Sequence, residues 1–270
     1  MRIAVLMKQV PGTSNVAIDP ERGTLRREGV AAKTNPFDLH ALEAALDIKN
    51  RLEGTDRTRP VTVSVLSMGP PQAEAVIRES YWMGADDGAL MTDRAFAGAD
   101  TLATAFALSQ ELKKQGFDLI IAGMQSTDGD TAQVGPGVAE FLGLPHVSYV
   151  RSIDAVSEHS ISVTADLGDR CLSQEVMLPC LITVTRDLNQ PRLPSFRKRK
   201  ETKDRTVELV KAADLPELPP AQQPYLGLSG SPTRVEKIFP PKRERVREMW
   251  EGTTAELADR LAALLKEMLP

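Results

Sequence analysis

Residues 118–145 constrain this chain more than any other stretch. An apolar run at residues 118–122 reads as a buried parallel strand, and Val134, Val138, Phe141 and Leu142 recur farther on at helical spacing. Between them lies a loop of small residues, hydroxyls and amides with two carboxylates, Asp128 and Asp130; Asp130 or Thr131 is placed to cap the helix. A strand, a loop and a helix start in that order make the kind of turn at which open α/β sheets bind nucleotides, because backbone N–H groups at a helix start favour anions. The loop is neither a Gly-x-Gly-x-x-Gly turn nor a P-loop, so a nucleotide or phosphate site and an ordinary polar connection both stay open.

The same alternation runs upstream. A first strand is expected over residues 2–10, followed by a polar stretch at 11–34 whose turns fall at Pro11, Gly12, Pro20, Gly23 and Gly29 and which has room for a short hairpin. In Asn35-Pro36-Phe37-Asp38, Pro36 biases Asn35 away from helix and Asp38 can cap a helix over 39–53, with Leu39, Leu42, Leu46 and Leu52 inward and Gly54 as its stop. Residues 61–66 form a second strand, before a helix that stops at Met83-Gly84. A short strand near 89–91 precedes a helix capped by Asp100, which starts at Thr101 and ends at Gly116. This pattern predicts an α/β fold with a doubly wound, mostly parallel, Rossmann-like sheet.

After Pro145 the pattern changes to strands alone, at 146–150, 160–165, 171–177 and 180–185 with a turn at Gly168-Asp169, an antiparallel hairpin added beside the parallel sheet. Residues 189–241 are rich in proline and charge and read as an extended arm without a core of its own. A capping box, Thr253 to Glu256, then opens a terminal helix with Leu257, Leu261, Leu264, Leu265 and Met268 on one face. That face can fold back on the chain's own domain or meet a partner. The expected division is 1–195 as the nucleotide-binding α/β domain and 196–270 as recognition loop, arm and terminal helix.

A net charge of −4 gives no general attraction to nucleic acid or anionic membrane. No apolar run approaches the about 20 residues that cross a bilayer, and no basic and apolar leader precedes the first strand. Two cysteines, Cys171 and Cys180, build no disulfide framework, and three scattered histidines show no metal spacing. A soluble protein of the reducing cytoplasm is expected. Asp128 and Asp130 could serve a metal or act as caps and loop hydrogen-bond acceptors; Ser126 and Thr127 have no neighbouring histidine base. No catalytic side chain is assigned, and the chemistry is expected to belong to a bound group.

The assembled segments resemble the β subunit of the electron-transfer flavoproteins over almost the entire chain. The resemblance rests on Lys8-Gln9-Val10-Pro11, Asn35-Pro36-Phe37-Asp38, Glu43-Ala44-Ala45, Ser67-Met68-Gly69-Pro70, Met83-Gly84-Ala85-Asp86, Asp100-Thr101, Gly123-x-Gln125, residues 128–136 and Pro191-Arg192-Leu193-Pro194-Ser195, in the family's order. It implies a heterodimer whose α subunit carries an electron-transferring FAD while this subunit binds a nucleotide of its own. Housekeeping members hold AMP there, in a loop with three consecutive acids followed by Asn-Gln-Thr-Gly. This chain has Asp128-Gly129-Asp130-Thr131-Ala132-Gln133-Val134-Gly135-Pro136 instead, which is similar to the electron-bifurcating and nitrogen-fixation-linked members, where a second FAD occupies the site.

By that resemblance the pocket comprises Leu6, Asn35, Pro36, Phe37, Asp38, Met68, Thr101, Thr104, Gly123, Gln125, Ser126, Thr127, Asp128, Gly129, Asp130, Thr131, Ala132, Gln133, Val134, Gly135 and Pro136. Gly129 would remove a side chain and a charge where a bulkier, doubly phosphorylated ligand lies. Bifurcating members take hydride from NADH, send one electron to the α-subunit flavin and the other to ferredoxin or flavodoxin. Leu193, with Pro194 and Arg197 beside it, corresponds to the loop that docks on an acyl-CoA dehydrogenase-type partner; Arg197 and Arg199 depart from the family's apolar and small residues there. Two other readings stay open: an AMP-binding structural subunit, and an adenylate-cleaving enzyme, which the missing Gly-rich phosphate loop disfavours.

Overall fold

The computed structural model describes residues 1–12, 32–55, 60–216, 225–236 and 248–268. The first strand, β1 (Arg2–Leu6), stops short of the expected span, and residues 9–11 form a separate strand, β2 (Gln9–Pro11), antiparallel to β3 (Ala32–Thr34). The cause is local. The Lys8 N–H donates to Asp38 Oδ2 at 2.7 Å and the Lys8 carbonyl accepts the Asn35 N–H at 2.9 Å, so neither group is free to extend the sheet. The expected turns at Pro20, Gly23 and Gly29 lie outside the described residues.

Helix α1 (Pro36–Thr55) starts at the proline, with the Asn35 carbonyl accepting from Asp38 and Leu39. Asp38 is therefore inside the first turn and faces inward, a correction to its expected place as the cap. Then follow β4 (Thr62–Met68), α2 (Glu74–Met83), β5 (Asp87–Met91), α3 (Thr101–Gln115), β6 (Leu119–Gly123) and α4 (Val134–Leu142). The Asp100 carboxylate caps α3 through the Ala103 N–H at 3.0 Å, as its position predicts. Neither Asp130 nor Thr131 caps α4. Gln133 precedes that helix and makes no side-chain cap.

The remaining strands are β7 (His146–Val156), β8 (Ser160–Asp166), β9 (Cys171–Met177) and β10 (Cys180–Val184). A short helix α5 (Phe196–Glu201), an edge strand β11 (Glu208–Val210) and α6 (Thr254–Met268) complete the described elements. One nine-stranded sheet runs β11-β5-β4-β1-β6-β10-β7-β8-β9, parallel from β11 to β7 and antiparallel across β7-β8-β9. Two details differ from expectation. Strand β10 inserts in parallel between β6 and β7, and residues 208–210 pair with β5 instead of running free in an arm.

Side chains alternate along the central strands, and each face has its own core. Ile3, Val5 and Ile121 lie with Leu42 and Leu46 of α1 and Ile77 of α2; Ala4, Leu6 and Ile120 lie with Ala105 and Leu108 of α3 and Val138 of α4. The chain winds from β1 outward through β4 and β5, then returns to place β6 on the other side of β1. The carboxyl ends of β1 and β6 therefore diverge into a crevice, the topological switch point at which such sheets accept ligands. No helix among the described residues is long and apolar enough to cross a membrane.

Candidate functional site

The switch point gathers the residues singled out for the pocket. Leu6, Met68 and Gly123 end β1, β4 and β6; residues 35–38 start α1; Thr101 and Thr104 lie in the first turn of α3; residues 124–136 are the loop and the start of α4. Gly123 is required by close approach. A Cβ at this position would stand 2.7 Å from the Phe37 Cβ and 2.8 Å from its carbonyl carbon, and would also strike the Asp38 carboxylate.

Asn35 is buried at 1 % exposure and holds the loop instead of its own helix. Its Nδ2 donates to the Gln125 carbonyl at 2.9 Å and its Oδ1 accepts the Thr127 N–H at 3.1 Å. Asp38, also buried, accepts the Lys8 N–H; burial pushes its pKa up to about 7 against the pull of hydrogen bonds from Asn35 and Lys8. Between pH 4 and 7 the unfolded chain has lost this proton while the folded chain keeps it, so stability falls as pH rises through that window and levels off above it. Asp38→Asn keeps an acceptor for the Lys8 N–H. Urea unfolding at pH 5 and pH 8 should show a decline about 3 kcal/mol smaller in the variant than in the parent.

The loop's shape is imposed by tertiary contacts. Lys8 Nζ reaches Asp128 Oδ1 at 2.7 Å, Asp128 Oδ2 at 3.0 Å and Ser126 Oγ at 3.2 Å. Burial raises the Asp128 pKa, but hydrogen bonds from Lys8 and Ser126 and the Lys8 charge outweigh it and hold the carboxyl below its usual range. Asp130 and Ala132 take left-handed backbone, φ 49° and 55°, which for alanine costs roughly 1–2 kcal/mol. Gln125 Nε2 donates to Asp130 Oδ1 at 3.0 Å, and Thr101 Oγ1 donates to Gln133 Oε1 at 2.9 Å, tying the starts of α3 and α4 together.

With no side-chain cap at Gln133, the start of α4 offers the Val134 and Gly135 N–H groups beside exposed Thr131 and Gln133, donors of the kind that suit phosphate oxygens; Pro136, third in the helix, has no N–H to give. Gly129 is exposed, and a Cβ built there meets only Ser126 Oγ at 3.5 Å. Gly135 serves packing. A Cβ there would lie 2.5 Å from Thr183 Cγ2 on β10, and one at Gly137 would lie 2.9 Å from Ala105 on α3. Val134 is partly buried against the same core, and Pro136 beside it is half-buried. Asp128 accepts from Lys8 and Asp130 from Gln125, so both carboxylates serve as loop hydrogen-bond acceptors; among the described residues no group of three or more histidines, cysteines and carboxylates is placed to hold a metal.

Leu193, Pro194 and Arg197 are not in this crevice. They stand on the α1 and α2 face, on a segment fixed at both ends. Arg192 forks onto Glu43 of α1 with contacts of 2.8, 2.8 and 3.1 Å and donates its backbone N–H to the same carboxylate, while Ser195 N–H donates to the Trp82 carbonyl of α2 at 2.9 Å. Leu193 is 86 % and Phe196 75 % exposed. Arg197 pairs with Glu201 at 2.7 Å, and the Arg199 guanidinium lies 4.8 Å over the Trp82 ring. Sequence reasoning passed over the side-chain roles of Lys8, Arg192 and Glu43. Lys8 follows directly on an apolar run and Arg192 on a single proline, which is the one local signal they offer.

Comparison with known proteins bears on the same segments. The Electron transfer flavoprotein domain matches residues 22–215. The chain is similar to the electron transfer flavoprotein subunit beta of Megasphaera elsdenii, 45 % identical over 251 residues that cover 90 % of this chain and 89 % of that protein. It is 44 % identical to the caffeyl-CoA reductase-Etf complex subunit CarD of Acetobacterium woodii, over 99 % of this chain and 98 % of CarD. It is 41 % identical to the protein FixA of Azotobacter vinelandii, over 93 % of this chain and 89 % of FixA. With at least 90 % of its length matched to each of these proteins at 41–45 % identity, the chain belongs to the electron transfer flavoprotein family as a β subunit.

Proposed function

We propose that the crevice holds FAD and that this β subunit passes electrons between a flavoprotein partner and the flavin of an α subunit. The observation that carries this reading is the loop at the switch point, where α4 begins without a side-chain cap and exposed Gly129 has only Ser126 Oγ within 4 Å of a built Cβ. The Val134 and Gly135 amides at the start of α4, with Thr131 and Gln133, would take the phosphates, and Phe37, Met68 and Leu6 would supply apolar atoms to the adenine end. Bound there, FAD supplies the redox chemistry; the chain supplies orientation and local charge.

Within that reading, residues 1–195 form the nucleotide-binding domain, and the partner contacts begin at its last residues and continue through the segment 196–270. Leu193, Pro194 and Arg197 would meet an acyl-CoA dehydrogenase-type flavoprotein, a role supported by the rigid mounting of the loop and by relatives whose names refer to caffeyl-CoA and acryloyl-CoA reductases. Helix α6, whose Leu261, Leu264, Leu265 and Met268 are exposed, would cover that face on the α subunit. A second bound flavin would make NADH oxidation with bifurcation to ferredoxin or flavodoxin the reaction to test. The free thiols Cys171 and Cys180 suit the reducing cytoplasm.

Gly129→Asp tests the loop directly. Because the position is open, the variant should fold with unchanged stability, yet the added charge and bulk should weaken FAD relative to AMP by about tenfold or more. Titration of the nucleotide-free heterodimer with each ligand measures the ratio. Equal FAD affinity in parent and variant would contradict the proposed placement of the phosphates.

A further inference from the structure

The loop that approaches the ligand is negatively charged in its own sequence. Residues 126–133 carry Asp128 and Asp130 and neither lysine nor arginine. A phosphate brought to this loop would approach two like charges, which repel it. The compensating charge comes from the start of the chain. Lys8, 120 positions away, lays its ammonium on both oxygens of Asp128 and on Ser126 Oγ.

Its placement is enforced. The Lys8 N–H is taken by Asp38 and its carbonyl by Asn35, while Asn35 grips the loop at residues 125 and 127 with its side chain. The exposure of the pair is unequal. The Asp128 side chain is 15 % exposed and the Lys8 side chain 47 %, so the carboxylate is tucked in and the ammonium is the member that faces outward. What the loop offers an incoming anion at this point is the lysine.

We propose that Lys8 is the specificity-determining residue of the crevice: its ammonium neutralises Asp128 and makes the loop selective for phosphorylated adenine compounds over unphosphorylated ones. This rests on the reading that the crevice binds an adenine nucleotide. A purely mechanical brace on the loop would affect charged and uncharged ligands alike, whereas charge compensation affects only the anions. The effect should grow with the number of phosphates.

The experiment is calorimetric titration of adenosine, AMP and ADP into the full chain in complex with its α subunit, freed of exchangeable nucleotide. Lys8 is half-exposed at a pinned backbone, so Lys8→Met should fold, with Lys8→Arg as the conservative control. Lys8→Met should weaken AMP by about 10-fold and ADP by up to about 100-fold, and adenosine by less than about twofold. Asp128→Asn added to Lys8→Met should restore most of the AMP and ADP affinity, and Lys8→Arg alone should retain it. Equal loss for adenosine and AMP, or no rescue by Asp128→Asn, would overturn the proposal and leave Lys8 as a structural brace. If the parent protein binds none of the three compounds, the nucleotide reading of the crevice falls first and this proposal falls with it.

Discussion

Gly123→Ala is expected to damage the fold and the site together. The methyl group would sit 2.7 Å from the Phe37 Cβ and 2.8 Å from the Phe37 carbonyl carbon, distances that only a shift of the α1 start can relieve. Overpacking of this kind typically costs about 1–3 kcal/mol. Here the upper part of that range is expected, because the obstacle is helix backbone and not the flexible end of a side chain. The displaced turn carries Asn35 and Asp38, so the clamps on residues 125, 127 and Lys8 should loosen and nucleotide affinity should fall by at least about tenfold. Gly54→Ala is the matched control. It lies near the end of α1 with nothing within 4 Å of a built Cβ, and alanine there should be neutral or stabilise by up to about 1 kcal/mol. Chemical denaturation and nucleotide titration of both variants check the pair.

The second large effect is expected at Arg192→Met. Burial raises the Glu43 pKa, but the hydrogen bonds and charge of Arg192 outweigh it and keep the carboxyl below its usual range; the Glu43 side chain is only 7 % exposed. Removing the guanidinium strands that carboxylate beside Asp47. For fully buried pairs the loss is about 3–5 kcal/mol, and the partial exposure of Arg192 reduces the expectation to about 2–3 kcal/mol. The same change frees one end of the segment that presents Leu193 and Phe196. Electron transfer to a dehydrogenase-type partner should therefore weaken while nucleotide content stays at the parental level. Arg192→Lys should recover only part of the stability, because an ammonium cannot fork onto both carboxylate oxygens. Urea unfolding measures the first consequence, and the rate of electron exchange with the partner, taken at matched nucleotide content, measures the second.

Much of the fold was legible in the sequence, for reasons that can be named. β1, β4 and β6 are short apolar runs because both sheet faces are covered, and Asp100, Gly84 and Gly116 punctuate α2 and α3 through local chemistry that needs no knowledge of distant residues. The less legible features are set by distant partners. Nothing local to residues 180–184 says that they insert between β6 and β7. The three residues of β11 carry one buried anchor, Val210, too little pattern to identify a strand. The end of β1 was misplaced because Asp38 and Asn35, far along the chain, consume the hydrogen-bonding groups of Lys8.

The site divides in the same way. Its backbone positions followed from the strand-loop-helix pattern and from resemblance, and the structure brings those segments to one switch point. Its side-chain logic did not follow. Asn35 reads as a residue before a proline, yet acts as a clamp on the loop. Asp130 and Thr131 read as caps, yet Asp130 is held in left-handed backbone by contacts of the folded chain and caps nothing. Gly135, which the resemblance assigns to the pocket, lets α4 approach β10, and Gly137 lets it approach α3.

The central claim, FAD in the crevice of this subunit, is tested most directly by the visible spectrum and flavin-to-protein ratio of the chain co-purified with its α subunit, with the nucleotides identified after denaturation. Two FAD per heterodimer is the expected result. One FAD per heterodimer with AMP released from the denatured complex would contradict it, and would make this a structural β subunit whose Gly129 loop is open for a reason other than a second flavin.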